Sequence, residues 1–290
     1  MPWDGKTGKP RPGESRLLRR LRHDKLALVG GGVVLLLLVI ALLAPLLPLP
    51  DPHATQLGKR LQPPFTAGYP LGSDQLGRDI LSRLVWGTRI SLLVGTMAAL
   101  LAFSVGAILG LASGYFGGLS DHVIMRAVDV LMAFPYVLLA IALVAALGPG
   151  LFNAMVAIAV ANISFYARGV RSAAMILRAQ DFIEASRSVG ASHVRIIIRH
   201  ILPNIVPALL AFVSMNIGWM ITETAGLSFI GLGAQPPTAD WGTMLADGRQ
   251  FITVASHVAT LPGLAILGLV LGLNLLSDCL RDALDPQLRV

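Results

Sequence analysis

Cysteine is nearly missing from this sequence, and charge is scarce. One cysteine, Cys279, in 290 residues excludes an intrachain disulfide framework and any cysteine-based metal site within one copy. Cys279 reads as a small packing residue near a helix end. Charged residues are 13% of the chain, against about a quarter in soluble domains. Apolar residues are 54% and the mean hydropathy is +0.70, so a membrane protein is expected and a large aqueous core is not. A phosphate-cradling loop, Gly, four residues, then Gly-Lys-Ser/Thr, is absent. Gly5-Lys6-Thr7 carries the final triplet, but its leading glycine would precede Met1. The metal spacing HExxH and the GxSxG elbow are also absent, and His53, His122, His193, His200 and His257 are scattered. No span pairs two carboxylates, and Ser164 and Ser214 have no base at a useful spacing. The sequence therefore offers no catalytic, cofactor-binding or metal residue, and any nucleotide used is expected on another chain.

What is present is a set of long apolar runs with basic residues beside them. The net charge is +7, but the basic residues flank spans rather than forming a patch with stacking aromatics, which is topology signalling and not a nucleic-acid groove. Leu26 to Leu47 is uncharged and follows a tail with Lys6, Lys9, Arg11, Arg16, Arg19, Arg20, Arg22 and Lys25. It is longer than the roughly 7 to 15 residues of a signal-peptide core and ends in Pro-rich APLLPLP, so a retained first helix is expected with the tail inside. At about 20 residues per crossing, further spans are predicted at Ile90 to Ala112, Val123 to Leu147, Phe152 to Val170, Ile205 to Ile230 and Val258 to Leu280, six in all. The predicted organisation is a basic tail (1–25), a first helix (26–47), an extracytoplasmic segment (48–89), a core (90–280) and a cytoplasmic tail (281–290). Charge tests this parity. The inside segments hold Arg126, Arg168, Arg171, Arg178, Arg187, Arg195, Arg199, Arg281 and Arg289, and the outside ones Lys59, Arg60, Arg78, Arg83 and Arg249, with Arg89 at the border. A short interfacial helix is expected near Asp79 to Trp86. In 231–257, Pro236, Pro237, Asp240 and Gly242 predict an ordered turn followed by a short helix.

The polar island EASRSVGASHVRIIIRHILP, Glu184 to Pro203, falls inside by that parity. Small residues alternate with Glu184, Arg187, His193, Arg195 and Arg199, a composition suited to close docking. Asp181 to Val189 predicts a short amphipathic helix, Gly190 a tight turn, and Ser192 a cap for a helix from His193 to Ile201. Pro203 suits the first turn of the next span. On these residues alone the island is either a docking surface or an amphipathic segment resting on lipid, its arginines serving topology. Within the spans, polar residues are costly and each is a candidate. Glu223, flanked by Thr222 and Thr224, faces a helix interface or a watery path, with a structural hydrogen bond the favoured reading. Asn162 and Asn216, with Asn153 and Asn274, are packing or pore-lining amides. Asp129, three residues after Arg126, is expected to pair with it along the helix.

The island resembles the EAA loop of ATP-binding-cassette importer permeases. Glu184, Ala185, Gly190, Leu202 and Pro203 fall in register, with Ser186 in place of the third alanine and His200 in place of isoleucine. PLGSDQLGRDILSRL at 70–84, GYFGG at 114–118, AFP at 133–135, LGPG at 147–150, SFIGLGAQPP at 228–237 and LRDALDP at 280–286 resemble the second-type permease of the dipeptide, oligopeptide and nickel family. That resemblance implies an all-α polytopic fold of type I importer permeases, with both termini cytoplasmic, in a prokaryotic inner membrane. It implies a second permease as heterodimer partner, two ATPase subunits carrying ATP and magnesium, and an extracytoplasmic substrate-binding protein. By the same analogy Glu184, Ala185, Ser186, Gly190 and Ala191 seat in an ATPase groove, within a coupling loop at 181–203. The outer loops would receive the binding protein, with Asp74, Arg78, Asp79, Trp241 and Asp247 as candidates. The implied cargo is a di- or oligopeptide. A nickel complex or other small solute, or a stand-alone secondary transporter using Glu223 as an ion site, remains an alternative.

Overall fold

The computed structural model describes residues 25–284. The basic tail before Lys25 and the residues after Leu284 lie outside the described residues, and the expectations for both tails with them. Ten helices organise what is described: α1 (Lys25–Leu43), α2 (Ile80–Phe116), α3 (Gly118–Met132), α4 (Tyr136–Leu147), α5 (Leu151–Arg178), α6 (Asp181–Ser188), α7 (His193–Ile196), α8 (Leu202–Phe229), α9 (Trp241–Gly248) and α10 (His257–Leu284). A π-helical turn, Ile197–Ile201, joins α7 to α8. Pro203 stands in the first turn of α8, where its missing N–H costs no ladder bond.

Among the described residues four helices are long and apolar enough to cross a membrane: Lys25–Leu46, Ile80–Phe116, Leu151–Arg178 and His257–Cys279. Counting the bent pair α3 and α4 as one span gives five. The 28 residues of α8 reach about 42 Å at 1.5 Å per residue, also enough for a crossing; Asn216, Thr222, Glu223 and Thr224 are polar positions along it.

Two expectations change. The separate interfacial helix near Asp79 to Trp86 is instead the first turns of α2, a continuous 37-residue helix. Asp79 caps it, its carboxylate accepting from the Ser82 N–H at 2.8 Å, so nothing interrupts the helix between surface and span. The single span predicted at 123–147 is two helices bent by 87°. Pro135 at the break has no N–H to donate and disfavours helical backbone at Phe134.

The main packing pair is α2 against α5, where small residues let two backbones meet. A Cβ on Gly106 or Gly114 would lie 2.6 Å from Tyr166 Cβ or the Arg171 carbonyl, and Gly110 abuts Ala167. One glycine per turn is the close-approach pattern of membrane helices. Three apolar cores follow along the bundle. Ala98, Ala102, Val144, Ile158 and Tyr166 fill the centre. Ile80, Trp241, Met244 and Val258 fill the outer end, and Tyr115, Ile183, Ile196 and Ile201 the inner end. Many leucines of α1 point outward, Leu35 and Leu42 at 62% and 75% exposure, as a lipid-facing helix requires.

Candidate functional site

At the outer end, residues far apart in sequence close into a buried crown. Arg78 Nε donates to Asp74 Oδ2 at 2.5 Å, Arg78 Nη2 reaches Asp247 at 3.6 Å, and Arg83 Nε lies 3.5 Å from Asp74. Arg83 Nη1 donates to the Pro52 carbonyl at 3.1 Å and Trp241 Nε1 to the Leu84 carbonyl at 3.0 Å. Asp240 caps α9 by accepting from the Thr243 N–H at 3.1 Å. Burial pushes the Asp79 and Asp240 carboxyls above the usual carboxylate range, partly offset by the Ser82 and Thr243 N–H groups that bond them.

Of the five outer-loop candidates, Asp74, Arg78, Asp79 and Trp241 are buried, each less than 5% exposed. Asp247 keeps 31% of its side chain exposed. The structure brings the five together, but their side chains hold the outer surface rather than form it. What that surface offers instead is Phe65, 93% exposed at the tip of the 48–79 segment and held at φ +66°, a backbone region a bulky residue seldom occupies. A periodicity reading passes over such a residue, because the signal is a dihedral angle. Beside α9 an open pocket of about 380 Å³ is lined by Ser228, Gln235, Asp247, Arg249 and Gln250 among others.

Within the spans, Asn162 is buried and its Nδ2 donates to the Tyr136 hydroxyl at 2.7 Å and the Ile158 carbonyl at 3.0 Å. Asn216 bonds back to its own helix at Phe212. Glu223 is half-buried; among the described residues its carboxylate makes no hydrogen bond or ion pair. Asp129 pairs not with Arg126 but with Arg168 of α5, at 2.6 Å. The α3 turn that carries Asp129 packs on α5, and a partner across that contact replaces the one along the helix.

The inner end presents the island as a helix, turn and helix. Ile183, Ile196 and Ile201 are fully buried and anchor it, while Glu184, Ala185 and Gly190 are exposed and Ser186 and Ala191 half-exposed. The turn closes α6: Gly190 N–H donates to the Arg187 carbonyl at 2.9 Å and Ala191 N–H to the Ser186 carbonyl at 3.1 Å. Gly190 sits at φ +82° with nothing within 4 Å of where its Cβ would be. The left-handed backbone, and not lack of space, is therefore what favours glycine there. Ser192 caps α7, accepting from the Arg195 N–H at 3.4 Å. The loop is tied to the last turn of α2, for the Tyr115 hydroxyl lies 2.9 Å from His193 Nδ1 and the Arg187 guanidinium sits 5.4 Å above the Tyr115 ring. In the sequence Tyr115 stands within GYFGG beside Phe116, and nothing in that motif points to a contact with His193.

Long apolar helices with a polar loop fixed to their inner ends define a polytopic membrane protein. The fold matches the MetNI methionine ABC transporter in inward-facing crystal forms, with a TM-score of 0.57 and 21% identity over 71% of this chain and 98% of that one. Residues 106–290 match the family described as binding-protein-dependent transport system inner membrane component, and residues 15–64 the N-terminal TM domain of oligopeptide transport permease C. The dipeptide transport system permease protein DppC of Alkalihalophilus pseudofirmus is 44% identical over 93% of this chain and 89% of its own. The glutathione transport system permease protein GsiD of Pectobacterium atrosepticum is 46% identical over 93% and 90%. The chain belongs to the binding-protein-dependent transport system inner membrane component family, and is a multi-pass protein of the prokaryotic inner membrane.

Proposed function

We propose that this chain is a non-catalytic permease subunit that pairs with a second, different permease to form a path for di- or oligopeptides. ATP and magnesium are held by two cytoplasmic ATPase subunits, and Glu184, Ala185, Ser186, Gly190 and Ala191 seat in a groove of one of them. The observation that carries this reading is the island itself: an exposed helix and turn, anchored by Ile183 and Ile196 and joined through Tyr115 to a 37-residue helix that reaches the crown. A displacement of the loop is passed on as a rigid-body movement of α2, which suits a two-state gate biased from one end. The peptide cargo is supported by 44% identity to a dipeptide permease and 46% to a glutathione permease. The outer surface around Phe65 and the pocket beside α9 would receive the binding protein, on the scaffold that Asp74, Arg78, Asp79, Trp241 and Asp247 hold.

Reconstitution with the second permease, both ATPases and the binding protein tests this. Wild type should import dialanine only with ATP present, and Glu184→Lys should assemble and hydrolyse ATP but no longer import. Import driven by an ion gradient without ATP would overturn the reading.

A further inference from the structure

A carboxylate inside a span must be matched by a partner, by water or by what passes through. Glu223 has no hydrogen bond or ion pair among the described residues, and its surroundings on α8 suit it to one ligand chemistry. Trp219 lies one helical turn away on the same face of α8 and is 54% exposed. Thr222 and Gly226 are exposed beside it, and a Cβ on Gly226 would meet nothing within 4 Å, which leaves room next to the carboxylate. Lipid cannot cover such a face cheaply, since an acidic group at mid-span costs about 2.5 to 3.5 kcal/mol.

We propose that Glu223 and Trp219 form a subsite for the primary ammonium group of the transported peptide. The carboxylate neutralises the cation, and the indole face adds a cation–π contact. The negative charge rejects the peptide's carboxylate end, so the amino end is directed to this subunit. The proposal rests on the peptide reading and extends it to named side chains.

The test uses the assembled permease and ATPase complex in nanodiscs, without the binding protein, titrated with dialanine and with N-acetyl-dialanine while indole fluorescence is followed. Trp219→Phe identifies the part of the signal due to Trp219. Dialanine should give a saturable change, and acetylation or Glu223→Gln should weaken it about tenfold or more, as loss of a charge-assisted contact does; Glu223→Asp should recover part of it. No saturable change, equal response to both ligands, or an unaltered response in Glu223→Gln overturns the subsite. So does loss of the second permease from Glu223→Gln complexes, which would make Glu223 an intersubunit tie. Dialanine import by the same complex with its binding protein separates the two ideas. If import occurs and the titration fails, only the subsite is wrong; if import fails, the peptide reading falls and the subsite with it.

Discussion

The hydroxyl of Tyr115, in the last turn of α2, lies 2.9 Å from Nδ1 of His193, at the start of the second helix of the polar loop. This contact spans 78 residues of sequence and joins the longest helix of the bundle to the segment proposed to meet the ATPase. Tyr115→Phe removes one hydrogen bond worth about 1 kcal/mol net while keeping the ring beneath Arg187. Assembly should survive, and import per ATP hydrolysed should fall in proteoliposomes. An unchanged ratio would show that the loop moves α2 by another route.

Gly190 separates conformation from space. At φ +82° with open surroundings, Gly190→Asn should be accepted, because asparagine tolerates left-handed backbone, and import should stay within about twofold of wild type. Gly190→Trp adds bulk to the exposed turn and should lose the ATPase subunits on co-purification. Equal behaviour of the two would mean that the turn faces nothing.

The crown and the α3–α5 contact should respond differently to loss of an ion pair. Arg78 and Asp74 are 3% and 6% exposed in their side chains, so Arg78→Ala leaves a buried carboxylate and should cost about 3 to 5 kcal/mol. Arg168 and Asp129 are 50% and 45% exposed, and Arg168→Ala should cost under about 1 kcal/mol. Thermal unfolding of the two purified variants compares them directly.

Burial raises the Asp240 carboxyl in the folded protein. The folded state therefore holds its proton to higher pH than the unfolded chain does. The stabilisation from protonating Asp240 is full below the unfolded carboxylate value of about 4 and is lost as pH rises through the raised folded value. Asp240→Asn keeps an acceptor for the Thr243 cap without the charge. Wild type should gain melting temperature relative to Asp240→Asn between pH 7.5 and pH 5; a relative loss would reverse the sign.

Phe65 is 93% exposed, so Phe65→Ala should leave unfolding unchanged. If the outer tip receives the binding protein, stimulation of ATPase activity by that protein should drop in the variant, with basal hydrolysis intact.

Local signals carried most of the fold. Ser192 and Gly190 mark their cap and turn because each acts on backbone within three residues of itself, and the long apolar runs mark the spans. The break at 133–135 is also legible in the sequence, since Pro135 lacks the N–H that a continuous helix needs, although the apolar run continues across it. What escaped depends on distance in sequence. Asp74 meets Asp247 through Arg78 only after α9 folds back over α2, and nothing near either residue announces it. Asp129 was assigned to Arg126 because the helix period makes that pair available. Arg168 wins through packing of α3 on α5. The outer arginines Arg78 and Arg83, which weaken the charge asymmetry expected across the membrane, are buried structural cations.

The central claim, that Glu184 to Ala191 touches an ATPase, is tested most directly by crosslinking. The sequence has one native cysteine, Cys279, so a Cys279→Ser background accepts single cysteines at Ala185 and, as an outer control, at Phe65. With a short reagent that carries a maleimide for the cysteine and a benzophenone that inserts into neighbouring C–H bonds on illumination, Ala185→Cys in the assembled complex should crosslink to an ATPase subunit in a nucleotide-dependent yield, and Phe65→Cys should not. Failure of Ala185→Cys to reach the ATPase in any nucleotide state, while the complex imports normally, would contradict the account.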